Sequence, residues 1–300
     1  MQKCSCYAYR ENLVKECHNK KTGISEKEAA ALMEKNKLDE IHMGIIKTLG
    51  RMGFASKRHI ARYMEHVRLS GKDKNTDLTK KLKQLCDYGI VMSVCFYPSD
   101  DPCSYRTCNI YSLTRGGSDI FAGTGEGGGC QDSIVPKADM DSGGGIAGIL
   151  NRAAFNSFYV SSLSYDIKYY FSYCAGRAVI EGRLVILSDK YPEGLVNVCV
   201  IPVRKMEGSN AKCASKIQAA QEHFRQKRIK KPWFVMICED DAHERELYSY
   251  LTDCKTIEKA VICMTKDTYL IRSDADAFDN ITTFTQNGKE LVSEFKKIVF

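Results

Sequence analysis

Residues 123–148 hold nine of the chain's 22 glycines and show almost no apolar periodicity, so no helix or strand buries a continuous face across them. A stretch of that composition reads as a flexible linker, and it divides the 300 residues into two parts, each long enough for its own core. The rival reading, a phosphate-cradling loop, would need a Gly-Lys-Ser/Thr step or a strand-turn-helix context, and neither is present. Four segments are therefore predicted: an N-terminal extension with a short helix at 1–38, a first domain at 39–122, the linker at 123–148 and a second domain at 149–300.

The charge is divided as unevenly as the glycine. Of 44 Lys and Arg, 21 lie in residues 1–123 beside 14 of the 37 Asp and Glu, which leaves 23 of each sign in the remainder. The whole formal excess of +7 thus belongs to the first part. A basic module joined to a neutral one suits a nucleic-acid binder, because cations that neutralise phosphates release counterions. No run reaches the roughly 18 apolar residues of a membrane span, and the start has no apolar block of a signal peptide, so a soluble, cytoplasmic chain without membrane partners is expected. The 14 cysteines then read as reduced thiols, since disulfide scaffolds are short and loop-rich.

Residues 1–22 are polar and dotted with cysteine. Ser25 and Glu28 form a capping box before a short helix ending near Lys37. Ile41, Ile45, Leu49 and Met52 recur at helical spacing over 39–52, and Gly53 ends that helix. Ser56 can cap a third helix over 57–65, with Ile60, Ala61 and Met64 inward and Lys57, Arg58 and Arg62 outward. Over 76–88, Leu78, Leu82, Leu85 and Cys86 make a buried stripe that turns Lys80, Lys81 and Lys83 elsewhere. After Gly89 the period switches to two through Ile90, Met92, Val94 and Phe96, and residues 109–114 return as a second strand. Three helices followed by a hairpin describe a winged helix-turn-helix.

Three local sequences, Gly53-Phe-Ala-Ser-Lys-Arg-His-Ile-Ala61, Leu82-Lys-Gln-Leu-Cys-Asp-Tyr-Gly-Ile90 and Asn109-Ile-Tyr-Ser-Leu-Thr-Arg-Gly-Gly117, resemble the winged-helix run of the replication-relaxation family of plasmid and integrative-element proteins. The resemblance covers roughly residues 40–121. It implies a DNA-binding accessory or regulatory role in the replication, relaxation or transfer of a mobile element, with double-stranded DNA as partner. In helix-turn-helix docking the second helix of the motif enters the major groove. That helix is 76–88, with Thr76, Thr79, Lys80, Lys83 and Gln84 as base-facing candidates. Lys57, Arg58 and Arg62 suit phosphates, and Tyr105 and Arg106 fall at the wing tip. A homodimer is compatible with such a motif, although no heptad seam is visible.

Beyond the linker, Phe155, Phe158, Tyr159, Leu163, Ile167, Tyr170, Phe171 and Cys174 suggest one helix with a Tyr-rich apolar face. Strands are expected at 178–187 and 195–203, then a helix at 211–228, a strand at 233–238, a helix at 242–251 and a strand at 260–264, an α/β sandwich. The family resemblance implies a restriction-endonuclease-like fold here. Such nucleases hold a divalent cation with at least two carboxylates and orient water with a lysine. Glu181 stands where the family pattern has its first acid, but Ile201 and Val203 stand where the next are expected, followed by Arg204 and Lys205. The domain is accordingly expected to be catalytically empty. An active metal-dependent nuclease built on Glu181 and Glu239–Asp241 is one alternative function, and a protein-protein adaptor, or a protein partner of the C-terminal domain, is another.

Lys216 and Arg245 match basic helix positions of the resembling family, with a solvated helix face as the plain reading. Arg225 to Lys231 places five cations at a helix end, where the macrodipole favours them without a ligand. Glu239-Asp-Asp241 caps the helix that follows or collects a cation. Cys4, Cys6, Cys17 and His18 lack the paired Cys-x2-4-Cys spacing of a zinc site, and Cys103 with Cys108 is one pair without a second, so no metal or other cofactor is expected.

Overall fold

A computed structural model describes residues 7–10, 12–19, 21, 23–67, 76–100, 107–125, 145–165, 167–175, 178–187, 194–229, 232–254, 261–271, 276–287 and 290–296. It is mixed α and β with two separate sheets. Two compact units divide these residues, one comprising 12–125 and 145–156, the other 7–10 and 157–296. No helix among the described residues is long and apolar enough to cross a membrane.

The first unit runs β1 (Leu13–Cys17), α1 (Glu26–Glu34), α2 (Glu40–Met52), β2 (Ala55–Ser56), α3 (Lys57–His66), α4 (Thr76–Asp87), β3 (Val91–Pro98), β4 (Ile110–Leu113) and α5 (Arg115–Gly123), and ends within α6 (Gly145–Ser161). Each early helix begins on the side chain that the sequence offers. Ser25 with Glu28, Asp39 with His42 and Ser56 with His59 form reciprocal capping boxes, the last two with histidine in the position usually held by Glu or Gln. The helices α2, α3 and α4 pack on one another through Ile45, Leu49, Ile60, Met64, Leu78, Leu82 and Leu85, all buried. Gly89 ends the α4 segment at φ 75°, a left-handed conformation that a side chain would strain.

Three elements of this unit differ from the expectation. The N-terminal extension is not separate: β1 pairs antiparallel with β3, so the sheet has the order β1-β3-β4-β2 and includes residues placed outside the first domain. The Gly-Gly after Thr114 lies within helix α5, where Thr114 accepts the Gly117 N–H as N-cap. A Cβ on Gly117 would fall 2.2 Å from the Ile90 carbonyl oxygen, so glycine here answers a close approach. The linker is shorter than its glycine content suggests, since residues 145–148 form the first turn of α6; its middle, 126–144, lies outside the described residues. Within this unit Asn156 on α6 donates from Nδ2 to the carbonyls of Met52 (3.2 Å) and Phe54 (2.6 Å).

The second unit contains the end of α6, then β5 (Ile167–Ala175), β6 (Ala178–Leu187), β7 (Leu195–Pro202), α7 (Ser209–Gln226), β8 (Trp233–Cys238), α8 (Asp241–Asp253), β9 (Val261–Lys266), α9 (Asp267–Leu270), β10 (Ile281–Asn287) and β11 (Glu290–Lys296). The single helix expected over 155–174 is a helix and a strand. Residues 155–159 keep helical spacing, the Ser162 hydroxyl turns back to the Phe158 and Tyr159 carbonyls at 3.0 Å, and the aromatic-rich run after Ile167 pairs with β6. The seven strands described lie in the order β11-β10-β9-β8-β7-β6-β5, antiparallel except for the parallel trio β7, β8 and β9. The helices of the two successive parallel crossovers, α7 and α8, pack on the same face of the trio. Ile217, Phe224, Leu247 and Leu251 of these helices close over Cys199, Ile201, Phe234 and Met236 of the sheet. The trio is largely apolar on both faces, as parallel strands are when covered twice, with Asn197, Thr265 and Lys266 its buried polar residues.

The buried histidine of α3 makes this fold sensitive to acid. Burial, with Arg58 and Arg62 close by, lowers the His59 pKa from 6.5 to about 3, while its Nδ1 accepts the Ser56 N–H at 3.2 Å. A folded-state pKa below the unfolded value gives stability that is complete above pH 6.5 and is lost as pH falls towards about 3. His59→Gln keeps a residue suited to the capping box, so the protein should lose about 3 kcal/mol less than wild type between pH 7 and pH 4 in urea unfolding followed by circular dichroism. Parallel pH profiles for the two proteins would contradict this.

Candidate nucleic-acid interface

Burying Leu78, Leu82 and Leu85 fixes which side of α4 meets solvent. Thr79, Lys80 and Lys83 are exposed on that side. Thr76 opens the helix, and its side chain lies outside the described part of the structure. The remaining α4 lysine, Lys81, pairs instead with Asp39, the N-cap of α2, and ties the two helices together. Gln84 is half-buried, and its Oε1 lies 3.1 Å from His42 Nε2. Since His42 Nδ1 accepts the Asp39 N–H, Nε2 carries the proton and donates to Gln84. The glutamine oxygen is thereby committed within the domain, and Gln84 serves to orient α4 on α2.

On α3, Lys57, Arg58 and Arg62 are half-exposed, and Lys57 Nζ donates to Thr79 Oγ1 at 2.5 Å. This contact places the first turn of α3 beside the exposed edge of α4. The structure therefore gathers Lys57 and Thr79 directly, with Arg58 and Arg62 on the helix of Lys57 and with Lys80 and Lys83 on the helix of Thr79. Tyr105 and Arg106 lie outside the described residues, as does Cys103.

A second polar assembly, of which the sequence singled out Glu239–Asp241 but not the Arg204–Asp267 pair, occupies the carboxyl ends of the parallel strands in the other unit. Arg204, just beyond β7, is fully buried and ion-paired with Asp267, which follows β9 and is equally buried. Its remaining donors reach the carbonyls of Tyr7 (3.2 Å) and Ile237 (3.1 Å). Glu239, just beyond β8, accepts the N–H groups of Tyr9 (3.0 Å) and Lys205 (2.9 Å), and burial raises its pKa. Asp240 is the N-cap of α8, accepting the His243 N–H at 2.9 Å, and Lys205 Nζ reaches Asp240 at 2.6 Å. Lys266 pairs with Asp241 and lies 3.5 Å from Glu244. The three adjacent acids are thus taken up by Tyr9, Lys205, His243 and Lys266, with the capping role falling to Asp240. His243, buried beside Arg204 and Lys205, is held near pKa 4 and is neutral at physiological pH. The clue in the sequence was an arginine closing an apolar strand; its partner lies 63 residues on, beyond the reach of any local pattern.

The other sequence candidates of this unit are dispersed. Lys216 Nζ reaches Glu181 at 2.6 Å, a contact between α7 and β6. Ile201 and Val203 are buried among apolar neighbours. Arg245 is exposed, Arg225 pairs with Glu222 at 2.8 Å, and Lys230 and Lys231 lie outside the described residues. Comparison with family models, curated proteins and solved structures gives no match to this chain.

Removing one partner from a buried pair leaves the other charge without compensation, at a cost of about 3–5 kcal/mol. Arg204→Met should therefore lower the stability of the second unit by that order in urea unfolding followed through Trp233, the chain's one tryptophan, which lies on β8. A loss below about 1 kcal/mol, within the range of surface pairs, would show that the Arg204–Asp267 pair is dispensable.

Proposed function

We propose that residues 39–122 form a winged-helix module that binds double-stranded DNA, with α4 as the recognition helix and α3 on the backbone. The observation that carries this reading is the sorting of cations on α4. Lys81 is consumed in holding the domain together, whereas Lys80 and Lys83 stand exposed beside Thr79, next to the basic first turn of α3. The element order supports it as well: helix, short strand, two helices and a hairpin, with β2 paired to β4. Gln84 is removed from the base-reading set because its oxygen orients α4.

The C-terminal unit is read as a nuclease-like α/β domain without nuclease chemistry. What supports this is the environment of Glu181, whose Oε1 is held by Lys216, together with the apolar burial of Ile201 and Val203 where further carboxylates would be needed. On this reading the protein is an accessory or regulatory factor of a mobile genetic element, as its resemblance to the replication-relaxation family suggests.

Each lysine that neutralises a phosphate steepens the salt dependence of binding by about one unit of slope. Lys80→Ala with Lys83→Ala should weaken duplex binding and reduce the slope of log K against log salt by about two. A protein that bound duplex DNA with unchanged affinity and slope after both substitutions would exclude α4 as the contact helix.

A further inference from the structure

We infer that Glu16, His18 and Cys95 form a zinc site on the β1–β3 ribbon, a ligand set distinct from the cysteine groupings suggested by spacing alone. The pairing register brings them together. Glu16 lies directly opposite Cys95, and Glu16 and His18 are two residues apart, hence on one face of β1. His18 donates its backbone N–H to Ser93 at 3.0 Å and so stands diagonal to Cys95, within reach of a long side chain. The three ligand atoms lie within 4.8 Å of one another.

Their separations suit a tetrahedral ion. His18 Nε2 is 3.2 Å from Cys95 Sγ, and Cys95 Sγ is 3.9 Å from Glu16 Oε2. Ligands at about 2.0–2.3 Å from zinc and near the tetrahedral angle stand about 3.3–3.6 Å apart, so small rotations of the two surface side chains bring all three into range. Thiolate, imidazole and carboxylate together favour zinc over the harder magnesium and calcium. The set is also charge-matched: on binding, the Cys95 thiol releases its proton to solvent, and thiolate plus carboxylate neutralise the dication.

The backbone that carries the site is held before any ion arrives. Immediately after His18, Asn19 donates from Nδ2 to the Val91 carbonyl (2.6 Å) and accepts the Ser93 N–H (2.7 Å), fixing the end of β1 to β3. Cys95 is fully buried, while the side chains of His18 and Glu16 are 32% and 41% exposed. The sulfur therefore forms the floor, the other two ligands form the rim, and the fourth coordination position faces solvent for a water. An ion there would clamp the N-terminal strand onto the sheet of the proposed winged helix, although the site stands whether or not that module binds DNA.

The test is titration of the reduced full-length protein with Co²⁺, a spectroscopic substitute for zinc. A thiolate-to-cobalt charge-transfer band should saturate at one equivalent, disappear on addition of Zn²⁺ and be absent from Cys95→Ser. Because that substitution lies in the core, His18→Gln and Glu16→Gln at the rim give a second readout: each should stay folded by circular dichroism and weaken cobalt binding at least about tenfold. A Cys4→Ser, Cys6→Ser double variant should keep the band. No band in folded wild type, a band undiminished in Cys95→Ser or His18→Gln, or its loss in the Cys4, Cys6 variant would each overturn the site.

Discussion

A helix can bury only one side, and on α4 the side is decided by Leu78, Leu82 and Leu85. Once these enter the core made by α2 and α3, the orientation of every other α4 residue follows. Lys81 is brought to Asp39 at the start of α2, Gln84 to the ring of His42, and Thr79 to the ammonium of Lys57. Lys80 and Lys83 are left facing solvent. The proposed interface is thus a by-product of hydrophobic packing refined by three polar contacts, which set the register of α4 against its neighbours. The same packing explains why histidine serves at the third position of α2 and α3: the ring Nδ1 accepts the N-cap backbone N–H, and on α2 the second nitrogen reaches Gln84.

The second unit depends on a different constraint. Three parallel strands covered on both faces end together, and Arg204, Glu239 and Asp267, just beyond their carboxyl ends, are shut away from water. Charge placed there must be compensated locally, and Arg204 and Asp267 do so with the help of backbone carbonyls, while Glu239 is held by two backbone N–H groups. In many α/β sheets this edge receives ligands. Here the described residues largely satisfy one another, with His243 Nε2 and Glu244 Oε1 the buried atoms of the assembly that lack a hydrogen-bond partner.

Periodicity made much of this fold readable. The helices over 40–52, 57–66 and 76–87, and the strands over 178–187 and 233–238, follow from spacing, capping residues and glycine stops. What escaped was pairing at long range. Strand β1 is short and lacks period-two alternation, and its identity depends on a partner about 80 residues later, so residues 13–17 carry little local signal. Tyr-rich β5 satisfies helical spacing by coincidence, and only its pairing with β6 reveals a strand. The same reason hid the polar sites. His18 and Cys95 meet across β1 and β3, and Arg204 and Asp267 across the ends of β7 and β9, whereas the basic residues of α3 and α4 were legible because helical phase alone places them.

Hydrogen exchange of the full-length protein, alone and with a saturating random-sequence duplex, tests the central claim most directly, because it locates contact without altering any side chain. The account predicts slower exchange confined to the amides of residues 57–66 and 76–87 and the hairpin that follows, with the strands of the second unit unchanged. Protection centred on the second unit, or no protection at duplex concentrations that shift the protein in a gel, would contradict it.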